Sequence, residues 1–297
     1  PDLESTISSA SRLGLQVAIA ASDIPINVLQ PPKGVPPGAW QVKVLKILEF
    51  LLQLTEISTL YLRPVLHDLY LHSECPAWCD LVRAVKSATG MLETVRRAMV
   101  AKLEGILIDL PSIGKTRRGL QIEELESRRV YFPLYRLPLD HARLFFSWAR
   151  WASFARRIET RIQRTTPDLF IIEDEIGFAY DAASGNDFIG MLCAVQRSAG
   201  ICFLGASQNF HVLTQIEANC NSKIVSRLGS MTDVHRGSDA LTLTPSQKDW
   251  LVSRPQPGQF VIRLPSGHLQ PFVFTALECP GEPLSDSARI AAERALL

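Results

Sequence analysis

Three consecutive acidic residues follow a short apolar run near the middle of the chain. The segment Leu169–Glu175 has the sequence LFIIEDE, so Glu173, Asp174 and Glu175 come directly after four apolar residues. Such a run is typical of a parallel strand that is buried on both faces. Ligands of parallel sheets bind beyond the carboxyl ends of the strands. We therefore expect these acids to face a binding site rather than the core.

The chemistry that suits this acidic strand end is phosphoryl transfer from a nucleotide. That reaction needs a carboxylate to hold Mg2+, usually through water, and a second group to polarise the attacking water. We assign Asp174 to the magnesium shell and Glu175 to the water. A register shifted by one residue would use Glu173 with Asp174 instead. The alternative interpretation is a solvated acidic turn after a core strand.

A polar residue follows the next apolar segment along the chain. Ile201–Ala206 (ICFLGA) predicts a second core strand, and Ser207 and Gln208 come after it. In a parallel sheet, this strand would end at the same edge as the acidic one. A glutamine at that edge can hydrogen-bond the terminal phosphate or the attacking water, whereas an ordinary exit from the strand into a loop is the alternative for Gln208.

The surrounding pattern predicts an α/β protein. Strand and helix alternate over residues 129–206, with a long helix from Asp140, as its N-cap, to about Thr165. The other predicted elements are a strand at Gln16–Ala21, a helical stretch from Trp40 to about Leu71 interrupted at Pro64, helices starting near Pro76 and Leu92, a strand at Arg129–Leu134, a helix over Gly190–Ser198, a hairpin of Phe260–Leu264 and Pro271–Ala276, and a helix over Ser285–Leu297.

Composition excludes little. The 297 residues carry a net charge of +1, so bulk charge selects neither a nucleic acid nor a membrane nor an acidic partner. The six cysteines show no zinc spacing, and we expect reduced thiols in a cytoplasmic setting. The N-terminus is too polar for a signal peptide. The most apolar stretch, Val42–Leu54, is too short and too charged to span a bilayer.

A phosphate-binding loop of the form G-x-x-x-x-G-K-[ST] is missing from the sequence. Its only partial match ends in Gly114-Lys115-Thr116, with Asp109 where the loop needs its first glycine. A carboxylate at that point would repel phosphate, and its Cβ would block the tight turn. We therefore expect that this segment does not hold phosphates.

The long helix carries a regular row of arginines. Arg143, Arg150, Arg157 and Arg164 recur every seven residues and so share one stripe of the helix. A row of this kind could follow the phosphates of a nucleic acid. A solvated helix face, or ion pairs to a neighbouring subunit, are the alternatives.

Several segments together resemble the HerA–FtsK superfamily of hexameric motors, in particular its conjugation and type IV secretion ATPases. Phe170–Tyr180 (FIIEDEIGFAY) resembles the Walker B strand of that family, and Gly205–Gln208 (GASQ) resembles its sensor strand. These two segments are the chemically specific ones. Further similar segments are Ile26–Pro32, Pro76–Leu81, Asn221–Leu228, Pro257–Arg263 and Pro271–Phe274.

The resemblance implies a RecA-like P-loop NTPase core with a mostly parallel sheet and a helical insertion. On this basis residues 1–37 and 126–277 form the core, 38–125 the insertion and 278–297 a helical tail. The P-loop of the family would precede Pro1. We expect it in an upstream part of the protein, and the alternative is a degenerate relative that has lost it.

The resemblance also implies roles for the site residues and the partners. Gln208 would sense the γ-phosphate of ATP beside Mg2+, and Arg227 would act in trans, with Arg236 as the competing candidate. The expected function is an ATP-hydrolysing ring motor that moves DNA or protein. Such a motor would be a homo-hexamer, with peripheral association to a membrane complex as a further expectation. An inactive scaffold subunit and a metal-dependent nuclease are the alternatives.

Overall fold

The computed structural model describes most of the chain: residues 16–17, 26–132, 138–160, 166–174, 176, 188–208, 214–253, 258–265 and 271–276. Its contacts divide the chain into two compact units. The first unit comprises Pro1–Phe170, Gln196–Cys202 and Glu282–Leu297, and the second comprises Ile171–Val195 and Phe203–Gly281. The helix expected at Ser285–Leu297 lies outside the described residues.

The described part of the first unit is mostly helical. Its helices are α1 (Pro37–Leu51), α2 (Glu56–His72), α3 (Trp78–Ser87), α4 (Glu93–Asp109), α5 (Pro111–Lys115), α6 (Ile122–Glu126) and α7 (Leu139–Glu159). Two short strands, β1 (Gln16–Val17) and β2 (Val130–Tyr131), pair in parallel. Packing of α1 against α2 and α7, and of α3 against α4, buries a core rich in leucine and tryptophan.

The helix break predicted at Pro64 is wrong. Pro64 lies inside α2, and the chain instead leaves the helix between α1 and α2. Gln53, between the two helices, adopts a positive φ of 46°. Thr55 then caps α2, because its hydroxyl oxygen accepts a hydrogen bond from the N–H of Ser58 at 3.2 Å. An interior proline removes one backbone hydrogen bond of a helix, and α2 continues on both sides of Pro64 in spite of that loss.

Asn27 ties the loop before α1 to the rest of the first unit. Its buried amide donates to the carbonyls of Pro76 at 2.9 Å and Arg117 at 2.8 Å. The carbonyls of the next two residues accept from Trp40 at 3.1 Å and from Tyr70 at 2.5 Å. The helices are therefore held together by polar bonds to one extended segment as well as by apolar packing.

Strands β3 (Leu169–Glu173) and β4 (Ile201–Gly205) form a parallel pair that runs from the first unit into the second. The N–H of Leu169 donates to Gly200 at the start of the pair, and Glu173 accepts from Ala206 at its end. The prediction that β3 is buried on both faces is wrong, because Phe170 and Ile172 are exposed while their neighbours are more buried.

The second unit also contains a three-stranded antiparallel sheet of β5 (Lys223–Val225), β6 (Gln259–Arg263) and β7 (Phe272–Thr275). The predicted hairpin is confirmed as β6 and β7, whereas β5 was not predicted. The described helices of this unit are α8 (Phe188–Gln196, whose last residue belongs to the first unit), α9 (Thr214–Asn219), α10 (Met231–Leu241) and α11 (Pro245–Ser253).

Three arginines of the row lie on α7: Arg143 is half-buried, Arg150 and Arg157 are buried, and Arg164 lies outside the described residues. Only 1% of Arg150 and 6% of Arg157 is exposed, so neither forms a solvated or phosphate-tracking face. Arg157 donates to the carboxylate of Asp168 at 2.5 Å and to the carbonyl of Ala199 at 3.1 Å, and lies 3.6 Å from Glu126. Arg157 therefore fixes the residues just before β3 and β4.

The start of α7 also differs from the prediction. Pro138 is the N-cap residue, and Asp140 lies within the first turn. Proline suits this position because its fixed φ is compatible with helix entry, and a carboxylate in the first turn favours the positive end of the helix dipole.

Replacing Arg157 by Met should destabilise the first unit strongly. The change keeps side-chain bulk but removes the cation that Asp168 pairs with and leaves Glu126 paired with Arg156 alone, at a cost of about 2 kcal/mol or more. The matched control is Arg156→Met, because Arg156 is more exposed and pairs only with Glu126; it should cost about 1 kcal/mol. Urea denaturation followed by tryptophan fluorescence measures both, and equal losses would contradict the prediction.

Candidate functional site

Glu173 and Asp174 lie beside Ala206, the residue that follows β4. The N–H of Ala206 donates to the carbonyl of Glu173 at 2.9 Å, and its carbonyl accepts from the N–H of Ile176 at 2.9 Å. Ala206 thus bonds to one residue before Asp174 and to one residue after it. We call Glu173, Asp174 and Ile176 the acidic turn.

The carboxylates of this turn differ in accessibility. Glu173 is buried, whereas Asp174, the next residue, is exposed. Adjacent residues at the end of a strand point to opposite faces of the sheet, which explains the contrast. Glu175 lies outside the described residues. Asp174 is therefore the carboxylate that the described part of the turn presents to solvent.

Gln208 follows the strand that pairs with β3, and so lies on the same side of the strand pair as the acidic turn. It is exposed and comes two residues after Ala206, the residue that closes the turn. Parallel pairing of β3 with β4 is what brings these sequence-distant residues to one edge. The sequence-based expectation that Asp174 and Gln208 follow neighbouring strand ends agrees with this arrangement, and their chemical roles stay predictions.

Gly205 allows the acidic turn to pack closely on β4. A Cβ at this position would come within 2.7 Å of the Phe203 ring and 3.0 Å of Ile176 Cδ1. Ile176 is buried and is one of the two residues that bond to Ala206. Sequence reasoning missed this role, although a glycine near the end of an apolar strand is a known sign of close approach.

The two arginine candidates lie elsewhere in the second unit. Arg227 follows β5 and is exposed, with no hydrogen bond or ion pair to any residue in the described ranges. Arg236 is exposed on α10. Both side chains are thus accessible to another molecule, and the assignment of either one to a role in trans stays a prediction.

The Gly114-Lys115-Thr116 segment has the wrong geometry for a phosphate loop. Gly114 and Lys115 end the five-residue helix α5, and Thr116 donates its hydroxyl to Ser112 at 2.7 Å. Phosphates bind at the amino ends of helices, where N–H groups are unpaired. Gly114 is also buried, with Cys79 and Leu107 within 3.1 Å of a Cβ added there. This placement agrees with the expectation that the segment does not hold phosphates, which stays a prediction.

The described residues contain neither a cluster of metal-binding side chains nor a helix that could cross a membrane. No group of three or more His, Cys, Asp or Glu side chains that could enclose a metal ion occurs among them. Among the helices that these residues form, none has the length and apolar character needed to cross a bilayer. A metal ion at the acidic turn would therefore need ligands from outside this set, such as water or phosphate.

The fold and the polar strand ends define a helix-rich α/β protein of the kind that binds ligands beyond its parallel strands. Solved structures of the conjugative coupling protein TrwB share this fold. Unbound TrwBdeltaN70 superposes with a TM-score of 0.59 at 12% sequence identity, over 92% of this chain and 76% of that chain. The predicted resemblance to conjugation-type motor proteins is confirmed at the level of the fold.

Two further TrwB structures contain nucleotide analogues. The GDPNP complex gives a TM-score of 0.57 at 13% identity, over 92% of this chain and 77% of that chain. The complex with ADPNP gives a TM-score of 0.56 at 12% sequence identity, over 96% of this chain and 84% of that chain. Comparison with protein-family models and with curated protein sequences finds no match.

Replacing Gly205 by Ala should loosen the acidic turn. The added methyl group would push Ile176 away from Ala206, at a cost of about 1–3 kcal/mol. Hydrogen exchange of the Ile176 and Ala206 amides, followed by NMR, should accelerate by about tenfold or more. Gly229→Ala is the matched control, because nothing lies within 4 Å of its added Cβ. Unchanged exchange in Gly205→Ala would show that the turn does not depend on this contact.

Proposed function

We propose that this chain supplies the catalytic-carboxylate part of an ATP-hydrolysing motor. The observation that carries the proposal is the acidic turn, in which Ala206 joins the end of β3 to the exit of β4. Asp174 and Gln208 thereby follow the carboxyl ends of a parallel strand pair, which is the edge where α/β folds bind nucleotides. The fold shared with TrwB, crystallised with ADPNP and with ADP and Mg2+, supports the same conclusion.

Each residue of the turn has a role that its position suits. The exposed carboxylate of Asp174 would hold the hydration shell of Mg2+, whereas the buried Glu173 suits this role less well. Glu175 would orient the attacking water, and Gln208 would hydrogen-bond the γ-phosphate. The magnesium ion would neutralise charge on the transferred phosphoryl group. A P-loop outside this chain would hold the phosphates.

The larger assembly follows from the same proposal. Residues 1–37 and 126–277 would form a RecA-like core, 38–125 a helical insertion and 278–297 a tail. Copies of the chain would form a ring in which Arg227 of one subunit completes the charge at the ATP of the next, because a planar, permanently charged guanidinium suits phosphate oxygens. The motor would move DNA or protein, and the fold shared with a conjugative coupling protein supports this proposal.

A catalytically inactive scaffold is the second candidate function. It is favoured by the absence of a P-loop sequence, together with the placement of the one Gly-Lys-Thr at the carboxyl end of a short helix. The third candidate, a metal-dependent nuclease, gains no support from the described residues, since no cluster of three metal-binding side chains occurs there.

Glu175→Gln should abolish most ATP turnover by the full-length protein. The amide keeps the size of the side chain but cannot accept a proton from water, so kcat should fall by about a hundredfold or more. Release of inorganic phosphate measures the turnover. The matched control is Glu124→Gln, an exposed glutamate on α6, which should leave the turnover unchanged.

Three outcomes separate the candidate functions. Turnover that falls in Glu175→Gln alone supports the motor and its assignment of the water to Glu175. Equal turnover in Glu175→Gln and the wild type refutes that assignment. A full-length protein that neither binds nor hydrolyses ATP is the scaffold.

A further inference from the structure

A groove of about 400 Å³ lies between the carboxyl end of α3 and one side of α4. Lys86 of α3 forms one wall. The rest of the lining comes from α4 residues whose spacing places them on a single side of that helix: Glu93, Arg96, Arg97, Val100, Ala101 and Glu104. All of them belong to the first unit. We call this feature the α3–α4 groove.

The groove carries one cation more than it carries anions. Arg96 and Arg97 both pair with Glu93, and the Nε of Arg97 lies 2.6 Å from its carboxylate. Lys86 pairs with Glu104 at 2.6 Å. Three cations are thus served by two carboxylates within the groove. Because the side chains of Arg97 and Lys86 are 81% and 54% exposed, both can bind a further anion.

The groove has the order cation, apolar, cation along α4. Arg97 lies toward one end, Lys86 lies beside Glu104 toward the other, and Val100 and Ala101 lie between them. The helical rise from Arg97 to Glu104 is about 10 Å. A complementary ligand would therefore carry two acids at a similar separation, with an apolar group between them.

One segment of this chain has the complementary order of acid, apolar residue and acid. Glu282, Leu284 and Asp286 alternate in the sequence EPLSD, with Pro283 after the first acid. The residue before a proline favours an extended backbone, and so does a helix-capping residue such as Ser285 would be. Every second side chain of an extended segment points to the same side, so the two acids would lie about 13 Å apart with the leucine between them.

This segment belongs to the same unit as the groove. Residues Glu282–Leu297 are part of the first unit, although they follow β7 of the second. The stretch from Glu278 to Ala288 contains no Lys or Arg. Its acids can therefore pair only with cations of other segments, and the exposed Arg97 and Lys86 are cations of the first unit.

We propose that the segment Glu282–Asp286 docks in the α3–α4 groove of the same chain. Leu284 contacts Val100 and Ala101, and the acids on either side of it pair with the cations at the two ends of the groove. Exposed ion pairs are individually weak and are screened by salt, so the segment is released at high ionic strength. While it is docked, the groove is closed to other acidic segments.

Disulfide trapping in the full-length protein tests the contact. Ala101→Cys and Leu284→Cys, with Cys279→Ser to remove a neighbouring thiol, should cross-link in oxidised glutathione, and mass spectrometry of tryptic peptides identifies the pair. The matched control replaces Ala101→Cys by Ala98→Cys, because Ala98 is exposed on α4 but does not line the groove. The groove pair should form about tenfold faster, since docking raises the effective concentration of its thiols. Equal rates would overturn the proposal.

Charge reversal tests what the groove recognises. Glu282→Arg with Asp286→Arg should slow the cross-link about tenfold, and adding Arg97→Glu with Lys86→Glu should restore it, because both sides then carry the opposite charge. Arg83→Glu is the control, since Arg83 is exposed on α3 outside the groove. Where a reversal unfolds the chain, Arg97→Gln and Lys86→Gln should slow the cross-link of the unreversed segment. A rate that none of these changes alters would contradict docking by charge.

A mixing experiment distinguishes docking within one chain from docking between two. One chain carries Ala101→Cys and the other carries Leu284→Cys, both with Cys279→Ser. A cross-link that forms between these chains as fast as it forms within one chain would overturn docking in the same copy. The measurements are made without nucleotide, so their outcome is independent of the ATP hydrolysis in the proposed function.

Discussion

The buried guanidinium of Arg157 is the constraint on which the strand pair depends. It joins Asp168 and Ala199, the residues just before β3 and β4, and so sets the spacing at which both strands begin. Desolvating an arginine is costly and is offset only when carboxylates and carbonyls surround it, as Glu126 and Asp168 do here. Each strand then runs for five residues, about 16 Å, and Ala206 closes the far end by its bonds to the acidic turn.

Sequence reasoning identified β3, β4, the hairpin of β6 and β7, and the acidic residues after β3, because all of these depend on local patterns. An apolar run that ends in polar residues indicates where a strand lies and where it ends. This signal needs no information from distant parts of the chain. The same reasoning failed on Arg157, because helical spacing shows that arginines share a stripe but not whether carboxylates from other elements face it. It failed on Ile172 for a related reason: an apolar run indicates a capacity for burial, and one copy of the described chain does not cover it.

In the proposed motor, two chemical tasks would fall to different groups. Carboxylates and a glutamine at strand ends can position a metal ion and a water, but they repel or only weakly hold the phosphates themselves. Phosphate binding needs unpaired N–H groups at the start of a helix. The short helix α5 presents Gly114 and Lys115 at its carboxyl end, where the helix dipole favours cations rather than anions. Gly114 and Lys115 are therefore poorly suited to supply the phosphate-binding group.

Asp174 is exposed, and so are two apolar residues near it, Ile172 and Leu204. Water around Asp174 weakens its attraction for a cation, because charges interact through a high dielectric there. A neighbouring copy that covers Ile172 and Leu204 would exclude that water and at the same time bring in the charge of Arg227. Burial and charge would then act together: the apolar contact supplies the free energy of association, and the lowered dielectric strengthens each electrostatic interaction at the turn. A site built in this way would be active only in the assembled state, which is the coupling that a ring motor requires between neighbouring subunits.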